Sequence, residues 1–259
     1  MGISYGARTD VGAHRELNED AVLATPQLFV VADGMGGHAA GEVAAAIAVR
    51  QLEDLARQES LTAGDITRAL LDANRSILAE EATDDSKSGM GTTVTGMCLG
   101  SLAGTPHWFV FNVGDSRVYK YANTRLVQIT EDHSEVAELV AGGHITADAA
   151  RTHNLRNVIT RSLGTTPPPS PDMWVLPVVA GERFVLCSDG LSSELTDDAI
   201  AHVLRLGLAA EDTADLLVQG ALQAGGHDNV SVVVVDVPLS PDDAHDVEVR
   251  TLPRRRTGA

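Results

Sequence analysis

The sequence predicts an α+β protein in which antiparallel sheets are stacked in layers and covered on the outside by helices. Strand-like runs fall into two blocks separated by helical stretches, and their order does not alternate strand with helix as a doubly wound parallel sheet requires. Of the 259 residues, 44% are hydrophobic, enough for a substantial core, and no Pro/Gly/Ser linker divides it.

Taken in order, the first strand is the apolar run at residues 28–32. Helical periods follow at Ala44, Ala48, Leu52, Leu55 and at Ile66, Leu70, Ala73, Ile77, with Thr62 or Asp65 placed to open the second. A meander comes next, with strands at 92–99, 107–112 and 117–121. The second block has a strand at 183–187, a helix opened by Thr196-Asp197-Asp198, a helix at 212–223 and a last strand at 231–237. Residues 239–259 carry four acidic and four basic groups and no apolar period, so they read as a solvated tail after one domain, 1–238.

A net charge of −17 with 3% aromatic residues argues against a nucleic-acid partner. Cys98 and Cys187 sit inside apolar runs without CxxC or Cys/His spacing, which points to buried, reduced thiols. No run approaches the ~20 apolar residues of a membrane span, and the first ten residues resemble no leader. A cytoplasmic monomer is the expectation.

The strand at 28–32 runs straight into Asp33-Gly34, the one at 183–187 into Ser188-Asp189-Gly190, and Asp228-Asn229 directly precedes the last strand. Each alone reads as a turn. Three at the ends of core strands can meet at one edge, where like charges ~4 Å apart cost about 4 kcal/mol at an effective dielectric of 20. Such a cluster requires protons or cations, and hard oxygen donors select Mg²⁺ or Mn²⁺. Gly34, lacking a Cβ, lets its backbone approach an ion closely. Asp115, in Asn112-Val113-Gly114-Asp115-Ser116-Arg117, is a hairpin residue or another ligand. Arg15, before Asn18-Glu19-Asp20, belongs to a charged turn or grips a phosphate.

These stretches, together with Gly91-Thr92-Thr93, Asp132-His133-Ser134 and Gly226-His227-Asp228-Asn229, resemble in order the motifs of the metal-dependent (type 2C, PPM) serine/threonine protein phosphatases, bacterial members above all. The resemblance implies a four-layer αββα sandwich. It implies two Mn²⁺ or Mg²⁺ ions, with Asp33 bridging them, Gly34 giving its carbonyl to one, and Asp189 and Asp228 holding the other. Glu19 and Asp20 would orient water at the ions, and Arg15 would bind the phosphate. The implied reaction is direct hydrolysis of phosphoserine and phosphothreonine in proteins, opposing serine/threonine kinases.

Relatives differ from this chain at two places. Met35 stands where some have a histidine proposed as general acid, so a water would have to protonate the leaving oxygen; His38 nearby reads as structural or solvent-facing. A third ion in many relatives uses the residue matching Asp115 and an aspartate four positions beyond the one matching Asp189. Here that position is Ser193, which implies a weak third site. The family's mobile flap corresponds to residues 135–160, where Gly142-Gly143 permits motion, and is expected to influence substrate choice. Two rival readings remain at this level: a catalytically silent phosphoprotein-binding scaffold, and another two-metal phosphoester hydrolase.

Overall fold

In the computed structural model, which describes residues 2–36, 40–58 and 60–239, the chain builds two antiparallel sheets with helices against the outer face of each. The expectations for His38 and for most of the tail lie outside the described residues. In chain order the elements are β1 (Ser4–Asp10), β2 (Asp20–Ala24), β3 (Leu28–Met35), α1 (Ala40–Glu53), α2 (Ala63–Glu81), β4 (Gly91–Thr92), β5 (Val94–Leu102), β6 (Thr105–Val113), β7 (Arg117–Ala122) and β8 (Arg125–Gln128). Then come α3 (Glu135–Ala141), α4 (Ala147–Ala150), β9 (Asp172–Pro177), β10 (Arg183–Cys187), α5 (Asp189–Glu194), α6 (Asp197–Leu204), α7 (Ala210–Ala224) and β11 (Val230–Asp236). One sheet runs β1-β11-β10-β7-β8, the other β2-β3-β5-β6-β9 with β4 added to the end of β3.

The central strands are apolar on both faces because both faces are covered. On β3, Leu28, Val30 and Ala32 pack with Ala44, Ala48, Ile66 and Leu70 of α1 and α2, while Phe29 and Val31 face the other sheet. On β11, Val230, Val232 and Val234 pack with Leu217 and Val218 of α7, while Val233 and Val235 face inward. Trp108, Val110, Val118, Phe184 and Leu186 complete the layer between the sheets. The four layers are therefore helix, sheet, sheet, helix. Cys98 and Cys187 lie on the helix-facing sides of different sheets, buried and unbridged, and burial pushes both thiols up to about 12.

Helix α2 starts where the sequence places it. Thr62 Oγ1 accepts from the Asp65 N–H, and the Asp65 carboxylate accepts from the Thr62 N–H in return, a reciprocal cap. Two expectations are corrected. The strand holding Asp33 does not stop at residue 32: β4 pairs with its end, Gly34 opposite Thr92 and Met35 opposite Gly91, so Asp33 lies inside β3. Asp189 is not in a turn but opens α5. The sequence reading also passed over β1, β2, β8 and β9, strands that lie at or near the sheet edges and expose much of their length.

Candidate active site

Strand alternation builds the site. Side chains two apart share a sheet face, so the inward row of β3 reads Phe29, Val31, Asp33, that of β2 Ala24, Val22, Asp20, that of β10 Phe184, Leu186, Ser188, and that of β11 Val235, Val233, Ser231. At one end of the sandwich the layer between the sheets turns from hydrocarbon to carboxylate and hydroxyl. Asp20 and Asp33 are opposite one another in the β2–β3 register, an arrangement of like charges that costs stability when nothing compensates it.

Contacts across the sandwich hold this polar end together. Ser188 Oγ donates to Asp20 Oδ2 at 2.8 Å, and the Ser231 N–H donates to Ser188 Oγ at 3.0 Å. The Asp33 N–H donates to Thr93 Oγ1 at 3.1 Å, and Thr93 in turn meets Ser116 Oγ at 2.8 Å, beside Asp115. Gly190 permits the approach of α5 to β11: a Cβ there would come within 2.0 Å of the Asn229 carbonyl oxygen. That contact brings Asp189 next to Asp228. At Gly34 a Cβ would stand 2.1 Å from the Gly41 carbonyl oxygen and 2.6 Å from that of Glu19, so only glycine fits between β3, α1 and the Glu19 backbone.

Asn229 organises the loop that carries Arg15 and Glu19. Its amide donates to the carbonyls of Val11 and Leu17, each at 2.9 Å, and its Oδ1 accepts from the Glu19 N–H at 2.8 Å. Arg15 then reaches across the rim to Asp228 Oδ2 at 2.7 Å, while Asp228 Oδ1 accepts from the Asn229 N–H at 2.8 Å. The motif Gly226-His227-Asp228-Asn229 gave the position of this asparagine, but only the fold shows the three backbone groups it joins.

Electrostatics mark the cluster as short of positive charge. Asp20 is raised to about 7, chiefly by desolvation and then by the charges of Asp189 and Asp228, against the pull of Ser231 and Ser188. Asp33 is pushed well above the usual carboxylate range by desolvation and by Asp20, Asp189, Asp115 and Asp228. Asp115 reaches about 8 through desolvation and Asp189, and Asp189 is raised by desolvation and Asp228. Burial opposes the Arg15 charge, but Asp228, Glu19 and Asp33 outweigh it. Asp33 and Asp189 keep a face open to solvent although desolvation dominates both, as expected on the floor of an open cleft.

Among the described residues, buried Asp20 Oδ1 and Asp115 Oδ1 have no hydrogen-bond partner. Unpaired carboxylate oxygens among repelling neighbours fit hard divalent cations. Among the described residues, however, no three acidic, histidine or cysteine side chains already form an ion cage. The carboxylates repel one another strongly, and Asp228 is turned to Arg15 and the Asn229 N–H. A divalent cation would remove the repulsion that keeps such groups apart. Two surface hollows, of about 370 and 460 Å³, adjoin β9 and the 159–170 loop and contain none of these carboxylates.

His133 has a structural place. Its Nδ1 accepts from the Gly114 N–H at 3.0 Å, so the ring proton is on Nε2, which donates to Asp172 Oδ2 at 3.1 Å. The ends of the 135–160 segment meet through a bridge between Ser134 and Ile159.

An αββα sandwich with an acidic cleft where the inner faces of its sheets end defines a class of protein. The chain belongs to the protein phosphatase 2C family, whose model matches residues 13–223. It is 41% identical over 241 residues to the serine/threonine protein phosphatase PstP of Mycobacterium tuberculosis, an alignment covering 91% of this chain and 45% of PstP. The chain thus spans about half the length of that relative. Against the serine/threonine phosphatase stp of Listeria monocytogenes it is 34% identical over 244 residues, covering 90% of this chain and 95% of stp. The crystal structure of the catalytic domain of PstP in complex with two manganese ions superposes with a TM-score of 0.83 at 37% identity, covering 91% of this chain and 98% of that one.

Proposed function

We propose that this chain is a metal-dependent protein phosphatase that hydrolyses phosphoserine and phosphothreonine, opposing serine/threonine kinases. The observation that carries the reading is the set of mutually repelling carboxylates, Asp20, Asp33, Asp115 and Asp189, gathered at one polar end of the sandwich with Arg15 and Asp228 on the rim. Its family and the manganese-bound relative support it. Asp33 and the Gly34 carbonyl would hold one Mn²⁺ or Mg²⁺, and Asp33, Asp189 and Asp228 a second. Glu19 and Asp20 would orient water at the ions, and Asp115 would contribute to a weaker third ion. When bound, such a pair supplies positive charge at the phosphoryl oxygens and an activated water nucleophile.

The chain's own residues do the rest. Arg15 uses one nitrogen on Asp228 and is exposed along its remaining donors, so a phosphate can take two of them. Asn229 fixes the Arg15 loop, which places the guanidinium before substrate arrives. An intact carboxylate set distinguishes the chain from a silent scaffold.

The test is release of phosphate from a phosphothreonine peptide with Mn²⁺, Mg²⁺ or chelator. Turnover should depend on the divalent ion and collapse in Asp33→Asn. Turnover indifferent to both chelator and substitution, or none at all with metal, would overturn the reading.

A further inference from the structure

Arg15 stands at one end of an arc of basic groups on a chain whose net charge is −17. Beside it, His14 lays its ring flat against His227, centroids 4.8 Å apart and planes within 2°. His227 is anchored to Glu194 Oε1 through Nδ1 at 2.7 Å and through its backbone N–H at 3.0 Å. One residue earlier, the Ser193 carbonyl accepts from the Arg151 guanidinium at 3.5 Å. Arg151 follows α4, and from there to Arg161 the chain carries three arginines, His153 and no acidic residue. Arg161 is engaged by Asp172 at 2.9 Å. Arg151 and Arg156 are exposed and, among the described residues, bond only to backbone carbonyls, those of Ser193 and His153. Of the nearby acids, Asp228 is taken by Arg15 and Glu194 by His227, while Glu16 in the Arg15 loop and Asp148 of α4, three residues before Arg151, are exposed.

We infer that this arc, Arg15-His14-His227-Arg151 with Arg156 beyond it, is a docking surface for acidic residues flanking the phosphorylated side chain of a protein substrate. The inference rests on the phosphatase reading and adds the class of substrate sequence. A chain this acidic repels acidic peptides on the whole, so Arg151 and Arg156, exposed and without carboxylate partners among the described residues, on the side of the cleft that Arg15, His14 and His227 lead to, give such a peptide a favoured approach. Imidazole N–H groups of His14 and His227 add donors along the way. Each exposed ion pair is worth about two- to fivefold in binding, and salt screens it.

The experiment compares kcat/KM of the full chain with Mn²⁺ for three phosphothreonine peptides of equal length, flanked by Asp and Glu, by Ala and Gln, or by Lys. At low salt the acidic peptide should be favoured over the neutral one by about five- to tenfold, the Lys peptide should be worst, and high salt should erase most of the difference. Arg151→Glu with Arg156→Glu should bring the acidic-to-neutral ratio near one, and Arg151→Gln should fall between. Equal kcat/KM for all peptides, or an acidic preference that survives the charge swap, overturns the docking surface and leaves the phosphatase reading standing. Failure to hydrolyse any peptide, with metal present, overturns the phosphatase reading and this inference with it.

Discussion

Arg117 with Asp132, and Asp20 with Asp33, Asp115 and Asp189, are both buried sets of charges at the same end of the sandwich, and they are built in opposite ways. Arg117 bonds Asp132 through Nε at 3.0 Å and NH2 at 2.6 Å and reaches the Tyr119 hydroxyl with NH1 at 2.9 Å. Tyr119 passes on to Asp197 at the start of α6, and Gln128 donates to Asp132 at 2.8 Å. Arg117 and Asp132 there each have a partner of the other sign. The aspartate cluster has four acids and, among the described residues, two oxygens with no partner; Arg15 at its edge and the nearby Arg117 charge offset part of the repulsion but leave all four raised. A compensated network holds strands and helix together, whereas an uncompensated one stores repulsion that a divalent cation relieves.

The sharpest break of this contrast is Asp33→Asn. Turnover in Mn²⁺ should drop about a thousandfold, while the chelated protein should become more stable to urea because one repelling charge is gone. A loss of stability in chelator would put Asp33 with the compensated set. Next in size, Arg117→Ala should cost about 3 kcal/mol by urea denaturation whether or not metal is present, since it strands Asp132 in a site where only 13% of its side chain is exposed.

The third comparison uses pH. Asp20 and Asp115 are raised in the folded chain to about 7 and about 8 from an ordinary 3.8. The folded state therefore binds more protons than the unfolded one between about pH 4 and 8, and unfolding free energy in chelator must decrease as pH rises through that window. This stability is complete below pH 4 and lost once both groups ionise. Thermal unfolding in chelator should show the decline, and saturating Mn²⁺ should flatten it. The smallest effect is Ser193→Asp, which should raise occupancy of a third ion near Asp115, read by calorimetric metal titration; unchanged stoichiometry would remove Asp115 from the ligand set.

The sequence made the central strands readable because apolar runs such as 28–32 and 231–237 need no neighbour to be recognised. It did not reveal β1 and β2, whose residues are mostly exposed or half-buried and carry no strong period. Asp33, Asp189 and Asp228 could be singled out as charges abutting core strands, but why those strand ends share one edge of the sandwich was not local information. The inward parity of Phe29, Val31, Asp33 is written in the chain, whereas the opposing row Phe184, Leu186, Ser188 faces it only after the sheets stack. Asn229 was visible as part of a motif, and its three bonds to residues 11–19 span more than 200 positions. The stacked pair His14 and His227 was likewise beyond reach, since neither residue sits in a periodic segment.

Strand β1 lies against β11 along its whole length, Ser4 opposite Asp236 through Asp10 opposite Val230. Among the described strands, the first thus waits for the last. Asp228 and Asn229, which complete the cleft, are made after nearly all the rest of the domain, and a nascent chain cut short before them cannot assemble the pocket. Folding must join the two ends across the longest loop the domain allows, so it should be slow relative to helical proteins of this size, and the cleft is complete only once synthesis of the domain is finished.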